Sequence, residues 1–280
     1  MTKTASNSSE TADAKAGGAA VSENKAPLHQ AELRLDDIEF VKLIKDDGFA
    51  ETWVVQYQGK KWLHKTYRFR FWWGKMARPF ARKWARNEMA LCDALRGVPG
   101  TVSNYIKVSD QSFMREWVEG IDLGQRKLQG RVPGNAFFDE LRSNVEKIHE
   151  RGIAYNDLAK KYNVVVTEDD HPILIDYQIS MRCYEGRNPI RRKINHSFIR
   201  YMQSEDLRHV VKLKRRNRPD LVTPEETAAS YELPKGGRTL RKWITQPARW
   251  IKRAIYPSGS NETFRFSKKY KEREKGYVQK

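Results

Sequence analysis

The segment GIAYNDLAKKYNVVV, residues 152–166, constrains the fold more than any other part of the chain. It follows a stretch with helical spacing, NAFFDELRSNVEKIHERG, in which one side is apolar and Gly152 marks the end. It leads into two short apolar runs, 164–167 and 173–175, which are separated by residues typical of a turn. The sequence therefore predicts a helix, a polar loop and a β-hairpin in direct succession.

Three polar side chains fall at one end of this predicted hairpin. Asn163 opens its first apolar run, Asp176 ends its second, and Asp157 lies in the loop before it. Two carboxylates and a carboxamide offer the oxygen ligands that Mg²⁺ prefers. One carboxylate could remain to accept a proton or to orient a hydroxyl group. Taken singly, each aspartate is more typical of a cap, Asp157 on a helix and Asp176 on a turn.

The first half of the chain has the pattern of antiparallel strands. Residues 40–44, 51–56 and 61–66 form β-rich runs separated by Asp-Gly and Gln-Gly turns. The stretch YIKVSDQSFMREWVEG predicts a further strand pair. Lys65 lies at the end of the run KWLHK, which places a cation on a predicted strand.

A helix is predicted between these strands, in KMARPFARKWARNEMALCDALRG. Trp84, Leu91 and Leu95 are spaced to share one face, Glu88 falls on the same side, and Gly97 ends the helix. A strand lysine paired with a helix glutamate can hold an ammonium group against phosphate oxygens. Either residue alone is typical of a surface charge.

The order of these features resembles the protein-kinase-like superfamily, over about residues 38–215. RNEMALCDAL is similar to the αC helix, and WLHK is similar to the β3 lysine motif. The resemblance implies that Lys65 contacts the nucleotide phosphates and that Glu88 is its partner. It also implies that Glu116, Trp117 and Val118 form the hinge facing adenine, and that Gly48 is what remains of the Gly-rich loop.

The catalytic segments carry the most specific part of this resemblance. IHERGIAYNDLAKKYNVVV is similar to a catalytic loop and ILIDYQIS to the DFG segment, and 13 positions separate Asn163 from Asp176 as in protein kinases. The resemblance implies that Asp157 is the catalytic aspartate and that Asn163 and Asp176 are Mg²⁺ ligands. It implies that ATP and Mg²⁺ are used.

The departures from the usual pattern favour an unusual branch of this superfamily. Tyr155-Asn156 replaces His-Arg before Asp157, the loop to Asn163 is one residue longer, and Tyr177-Gln178 replaces Phe-Gly. DLAKKYN resembles the loop of bacterial RIO-like and lipopolysaccharide-kinase-like phosphotransferases. Activation through an activation-loop phosphate is not expected without the arginine.

The predicted fold is α+β and two-lobed, a protein-kinase-like fold with an antiparallel-sheet N-lobe and a reduced helical C-lobe. We expect a disordered tail over 1–32, because large apolar side chains are nearly absent there. The nucleotide-binding N-lobe is expected over 33–118 and the helical C-lobe with the catalytic loop over 119–238. A basic C-terminal extension occupies 239–280.

The function expected is ATP- and Mg²⁺-dependent transfer of a phosphoryl group to a hydroxyl, as in a serine/threonine protein kinase. The acceptor stays open between a protein hydroxyl and a sugar hydroxyl of a lipopolysaccharide core at the inner membrane. A pseudokinase that binds membrane or nucleic acid is the third alternative. Lys160 and Lys161 are candidates for contacting the phosphoryl group, and equally for a solvated lysine pair.

The net charge of +18, from 53 basic and 35 acidic residues, creates a field that attracts anionic partners. Mixed aromatic and basic stretches suit an anionic membrane surface, whereas no recognisable nucleic-acid module accompanies the charge.

Cys92 and Cys183 are far apart in the sequence, so a disulfide between them is not expected. Two free cysteines fit a protein of a reducing compartment. With no secretory signal and no apolar run of about 18 residues, we expect a cytoplasmic protein, peripheral at the inner membrane in the sugar-kinase alternative.

Overall fold

A five-stranded antiparallel sheet makes up the first half of the chain that the structure describes. The computed structural model describes residues 37–46, 50–68 and 78–232. The strands are β1 Glu39–Asp46, β2 Ala50–Tyr57, β3 Lys60–Tyr67, β4 Tyr105–Lys107 and β5 Ser112–Glu116. They lie in the order β1-β2-β3-β5-β4, with every neighbouring pair antiparallel.

The predicted strands of this sheet are confirmed, and β1, β2 and β3 extend one or two residues beyond the predicted bounds at each end. The β2–β3 hairpin turns at Gln58-Gly59, where both residues have positive φ, 49° and 71°. Two such residues give a turn whose twist matches the twist of the flanking strands. The turn fixes the register in which Lys65 of β3 pairs with Thr52 of β2.

Helix α1, Arg78–Ala94, packs on the sheet and also reaches the second half of the chain. Ala81, Ala85 and Met89 pack with sheet residues in one cluster, whereas Leu91 and Cys92 belong to the larger core. Small residues in the first turns let the helix approach the sheet closely. Glu88 therefore lies buried where the two clusters meet.

Trp84, which the helical spacing puts on one face with Leu91 and Leu95, is not buried as they are. Its side chain is 37% exposed, with the ring edge against Tyr67 at 6.1 Å between centroids. The alanines at 81 and 85 occupy the face that meets the sheet, and a large indole there would push the helix away. The helix ends at Ala94, and Gly97 supplies the positive φ of 77° in the turn that follows.

The second half of the described chain is mainly helical. Its helices are α2 Leu123–Leu128, α3 Phe137–Glu150, α4 Pro189–Asn217 and α5 Pro224–Tyr231. Between them lie short strands, β6 Ile121–Asp122, β7 Ile153–Ala154, β8 Val164–Val166, β9 Pro172–Leu174 and β10 Met181–Arg182. Two 3₁₀ turns complete the order, Lys161–Asn163 and Pro219–Leu221.

The predicted helix, polar loop and hairpin are confirmed. Helix α3 ends at Glu150, and Gly152 follows with a positive φ of 69°. Strands β8 and β9 form the hairpin, with Val164 opposite Leu174, and β6 adds a third strand that the sequence did not reveal. Ile175 donates its N–H to the carbonyl of Asn163 at 3.0 Å. This bond holds the two strands together at the end of the hairpin away from its turn, next to Asp176.

The larger hydrophobic core fastens this hairpin to the helices around it. Its fully buried members come from α3, the hairpin and the loop before it, and include Phe137, Leu141, Val145, Ile148 and Val164. Val210 and Leu213 of α4 close the core from the other side. The polar loop is thereby attached at both ends to residues of the hydrophobic core.

Some predictions fall on residues that the structure does not describe. These are the tail over 1–32, the extension over 239–280, and Gly48. The described residues belong to one compact unit that begins at Leu33, so the two-lobed division stays a prediction. Among the described residues, no helix is long and apolar enough to cross a membrane, and both cysteines are free thiols.

Candidate active site

Lys65 is the centre of a buried ionic cluster that joins three separate elements. Its Nζ donates to both carboxylate oxygens of Glu88 on α1, at 2.8 and 3.1 Å, and to Oδ1 of Asp176 beyond β9, at 3.0 Å. Lys65 and Glu88 are both almost fully buried. Tyr67, two residues along β3, donates its hydroxyl to the same Glu88 carboxylate. The structure therefore brings together the strand lysine, the helix glutamate and the strand-end aspartate.

Burial and charge act in opposite directions on this cluster. Burial favours the neutral forms of Lys65 and Asp176, but their mutual attraction outweighs it. The pKa of Lys65 is raised by Asp176 and Glu88, and the pKa of Asp176 is held well below its usual range by Lys65 and Arg115. The site thus keeps its charges at neutral pH.

Asp157 and Asn163 lie at the two ends of the polar loop, and both are buried. The Asn163 amide donates to the carbonyl of Asp157 at 3.3 Å, which fixes the orientation of the carboxamide. The Asp157 carboxylate accepts a hydrogen bond from Lys160 Nζ at 3.0 Å. Lys160 is therefore not simply solvated, whereas Lys161 lies over the Tyr162 ring, 5.3 Å from its centroid.

The Asp157 carboxyl is tuned towards proton acceptance. Burial raises its pKa most, and the charge of Asp176 raises it further, while Lys160 opposes both effects. A carboxylate whose pKa is above its usual value is a better base than an ordinary surface aspartate. The alternative role as a simple helix cap finds no support, because no described helix begins at Asp157.

Asp206 of α4 anchors the backbone of the polar loop through hydrogen bonds. This residue was not identified from the sequence. This carboxylate is fully buried and accepts the backbone N–H groups of Tyr155 at 2.7 Å and Asn156 at 2.8 Å. It also lies 3.2 Å from Nε2 of His149. Asn156 has a φ of 66°, a conformation that asparagine tolerates better than most residues. The carboxylate stabilises this turn immediately before Asp157.

Tyr155 and Tyr177 stand where the resemblance to protein kinases leads one to expect His and Phe. Both fix the segment around Asp176. The Tyr155 hydroxyl donates to the carbonyl of Ile175, next to Asp176. The Tyr177 hydroxyl donates to the carbonyl of Leu174 at 3.0 Å and accepts the N–H of Val102 at 2.9 Å. Both rings are buried and meet edge to face at 5.9 Å. These bonds tie the segment after Asp176 in place.

The donor set fits a Mg²⁺ ion shared with a polyphosphate. Asp176 uses Oδ1 for Lys65 and for the N–H of Gln178, and Asn163 uses its amide nitrogen for Asp157. One carboxylate oxygen and one carboxamide oxygen are then available for a metal. Among the described residues, no group of three or more acidic, His or Cys side chains could hold a metal alone. Mg²⁺ commonly completes its shell with water and phosphate oxygens.

A cavity of about 1110 Å³ is lined by several of these groups, Lys65, Asn163 and Asp176. Glu116, Trp117 and Val118, the segment expected to face the base, also line it. The N–H of Glu116 is already donated to the carbonyl of Asn104, at 3.1 Å. That N–H is therefore not available to a base.

Comparison with known proteins gives a partial match to a kinase. No family model matches the chain. A serine/threonine-protein kinase of Arabidopsis thaliana is 30% identical over 105 residues, which are 35% of this chain and 20% of that protein. The chain therefore spans about a fifth of the length of that curated relative. The match indicates a kinase-like relationship, and a sheet followed by helices is compatible with a kinase-like fold.

Three residues of the site were not found from the sequence. Asp206 and Tyr67 act through partners that are distant in the chain, and Arg115 was passed over inside an apparent strand. The only signal for Asp206 was that it and Glu205 are the two acidic residues of an otherwise basic helix, and surface ion pairs give the same pattern.

We expect Asp206→Ala to lower the free energy of unfolding by about 3 kcal/mol, because two buried N–H groups lose their acceptor. Asp206→Asn should lower the free energy of unfolding by less, since one side-chain oxygen remains to accept an N–H group. Urea denaturation measures both, with Asp139→Ala, whose side chain is 78% exposed, as the control. Equal stability of Asp206→Ala and the control would contradict the anchoring role.

Proposed function

We propose that this protein transfers the γ-phosphoryl group of ATP to a hydroxyl group, with Mg²⁺ required, in the manner of a serine/threonine protein kinase. The observation that carries the proposal is the buried Lys65 bridging Glu88 and Asp176 within a cavity also lined by Asn163. The kinase-like relationship of the chain supports the reaction class.

Each side chain has a role that follows from its contacts. Lys65 holds phosphate oxygens, and Glu88 keeps its ammonium group in place. Asn163 and Asp176 would hold Mg²⁺, which supplies charge neutralisation on the phosphates when bound. Asp157 orients the acceptor hydroxyl and takes its proton while the hydroxyl oxygen bonds to the γ-phosphorus and the bond to the departing nucleoside diphosphate breaks.

The Lys65–Asp176 contact suits this chemistry because it can be exchanged. A phosphate group entering the cavity offers Lys65 new oxygen partners, and Mg²⁺ gives Asp176 a new cation. Glu88 has no such alternative and remains with Lys65 and Tyr67. The lysine is thereby held in position before and after the nucleotide binds, which favours catalysis by positioning.

Asp157→Asn should lower kcat for phosphoryl transfer about a hundredfold or more, because the amide cannot accept the proton. Nucleotide affinity should change little. The measurement uses γ-labelled ATP, with protein extract and lipopolysaccharide precursors offered separately, and Asp169→Asn on an exposed turn as the control. Label in neither fraction from the wild type contradicts the proposed reaction, and label in the glycolipid alone contradicts a protein acceptor.

Lys160→Met should shift the acidic limb of the kcat–pH profile to higher pH. Lys160 lowers the pKa of Asp157 by its charge and hydrogen bond, so removing it raises that pKa further. The carboxylate is then protonated over a wider acidic range and the rate falls sooner as pH decreases. Lys161→Met is the matched control, and an unmoved limb in Lys160→Met would contradict Asp157 as the base.

A second candidate function is phosphorylation of a lipopolysaccharide core sugar at the cytoplasmic face of the inner membrane. The observation that favours it is the start of α4, where Ile190 and Ile194 are 72% and 65% exposed, one turn apart. Between them lie the exposed cations Arg191, Arg192 and Lys193. Exposed apolar and cationic side chains together suit an anionic lipid surface better than bulk water.

Replacing both Ile190 and Ile194 by serine should reduce flotation with phosphatidylglycerol-containing vesicles severalfold. Apolar burial in the interface is lost, while the attraction of the basic charge remains. The control is Leu128→Ser, which removes an exposed apolar residue on another helix. Equal flotation of the double variant and wild type would argue against this surface. Competition by bulk RNA would favour a nucleic-acid partner instead.

A further inference from the structure

Arg115 is a buried arginine inside the candidate nucleotide cavity that the proposed reaction does not use. Its residue is 6% exposed, and its Nη1 is shielded from solvent with no hydrogen-bond partner among the residues that the structure describes. An unpaired buried donor on a charged group is costly, so such groups are normally paired. The guanidinium lines the cavity, and a ligand there would supply the missing acceptor.

The strand register places Arg115 on the same face of the sheet as Lys65. On β5 and β3, Arg115 pairs with Leu63 and Phe113 pairs with Lys65, so these side chains share one face of the sheet. Leu63, Lys65 and Arg115 all line the cavity. The residue that follows Arg115 is Glu116, the first of the segment expected to meet the base.

Leu63, the partner of Arg115, lies two residues before Lys65 on β3, so Arg115 lies along the sheet between Lys65 and the segment 116–118. A base held by the backbone of 116–118, with its phosphates at Lys65, would present one edge to Arg115.

The chemistry of arginine determines which base edge can satisfy it. A guanidinium has five donors and no acceptor. The 6-amino group of adenine is also a donor, so the two would face each other without a hydrogen bond. A 6-oxo purine offers O6 and N7, an acceptor pair that matches the arginine fork.

We propose that Arg115 selects the base of the nucleotide, and that 6-oxo purine triphosphates bind in preference to ATP. The proposal rests on the phosphotransfer function proposed above: ATP remains a donor with the same chemistry, and a 6-oxo purine triphosphate is the preferred donor. A good bidentate pair corresponds to about a tenfold to hundredfold preference for the matching base.

The test is competition binding of Mg-GTP, Mg-ITP and Mg-ATP to the full chain and to Arg115→Met, Arg115→Lys and Arg96→Met. ITP shares the 6-oxo group of GTP but lacks its 2-amino group, so it isolates the contact with O6. Arg96, a half-exposed residue paired with Asp93, controls for the loss of one positive charge. Arg115→Lys keeps the charge but removes the fork, and it serves if the methionine variant unfolds.

We expect wild type to favour GTP and ITP over ATP by about tenfold or more. Both Arg115 variants should lose that preference through weaker GTP and ITP binding, with ATP affinity changed less than about threefold, and Arg96→Met should behave as wild type. An equal loss for all three nucleotides would assign Arg115 to the phosphates and overturn the proposal. If wild type binds all three nucleotides equally, only the base selection by Arg115 is overturned. If wild type binds no nucleotide, the proposed phosphotransfer function is overturned as well.

Discussion

The buried ionic cluster around Lys65 is the interaction on which the rest of the site depends. It ties the sheet to α1 through Glu88 and to the hairpin end through Asp176. Removing one partner would leave a charge buried without compensation, which typically destabilises by about 3–5 kcal/mol. A phosphate and a metal can replace the contact between Lys65 and Asp176 in this cluster. The same side chains therefore contribute to stability and to ligand binding.

A second layer of polar contacts supports this cluster from the helical side. Asp206 holds the backbone before Asp157, while Tyr155 and Tyr177 attach the loop to the end of the hairpin. The loop is thus fixed by hydrogen bonds internal to the fold.

The sequence revealed those parts of the site that follow from local pattern. Strand periodicity located Lys65, helical spacing located Glu88, and the hairpin between two apolar runs placed Asn163 beside Asp176. Contacts between distant residues left no such pattern. Spacing alone did not show that Trp84 is exposed while Leu91 is buried. Asp206 gained its role from partners far along the chain, and Arg115 lay inside a predicted strand with nothing to mark it.

The central claim is that this cavity binds a nucleotide together with Mg²⁺ held by Asp176 and Asn163. Calorimetric titration of a nucleoside triphosphate at increasing Mg²⁺ concentration, for wild type and Asp176→Asn, tests it most directly. The account predicts that wild-type affinity rises with Mg²⁺ and that the variant retains nucleotide binding but loses most of this dependence. Affinity that is independent of Mg²⁺ in the wild type, or an unchanged dependence in the variant, would contradict it.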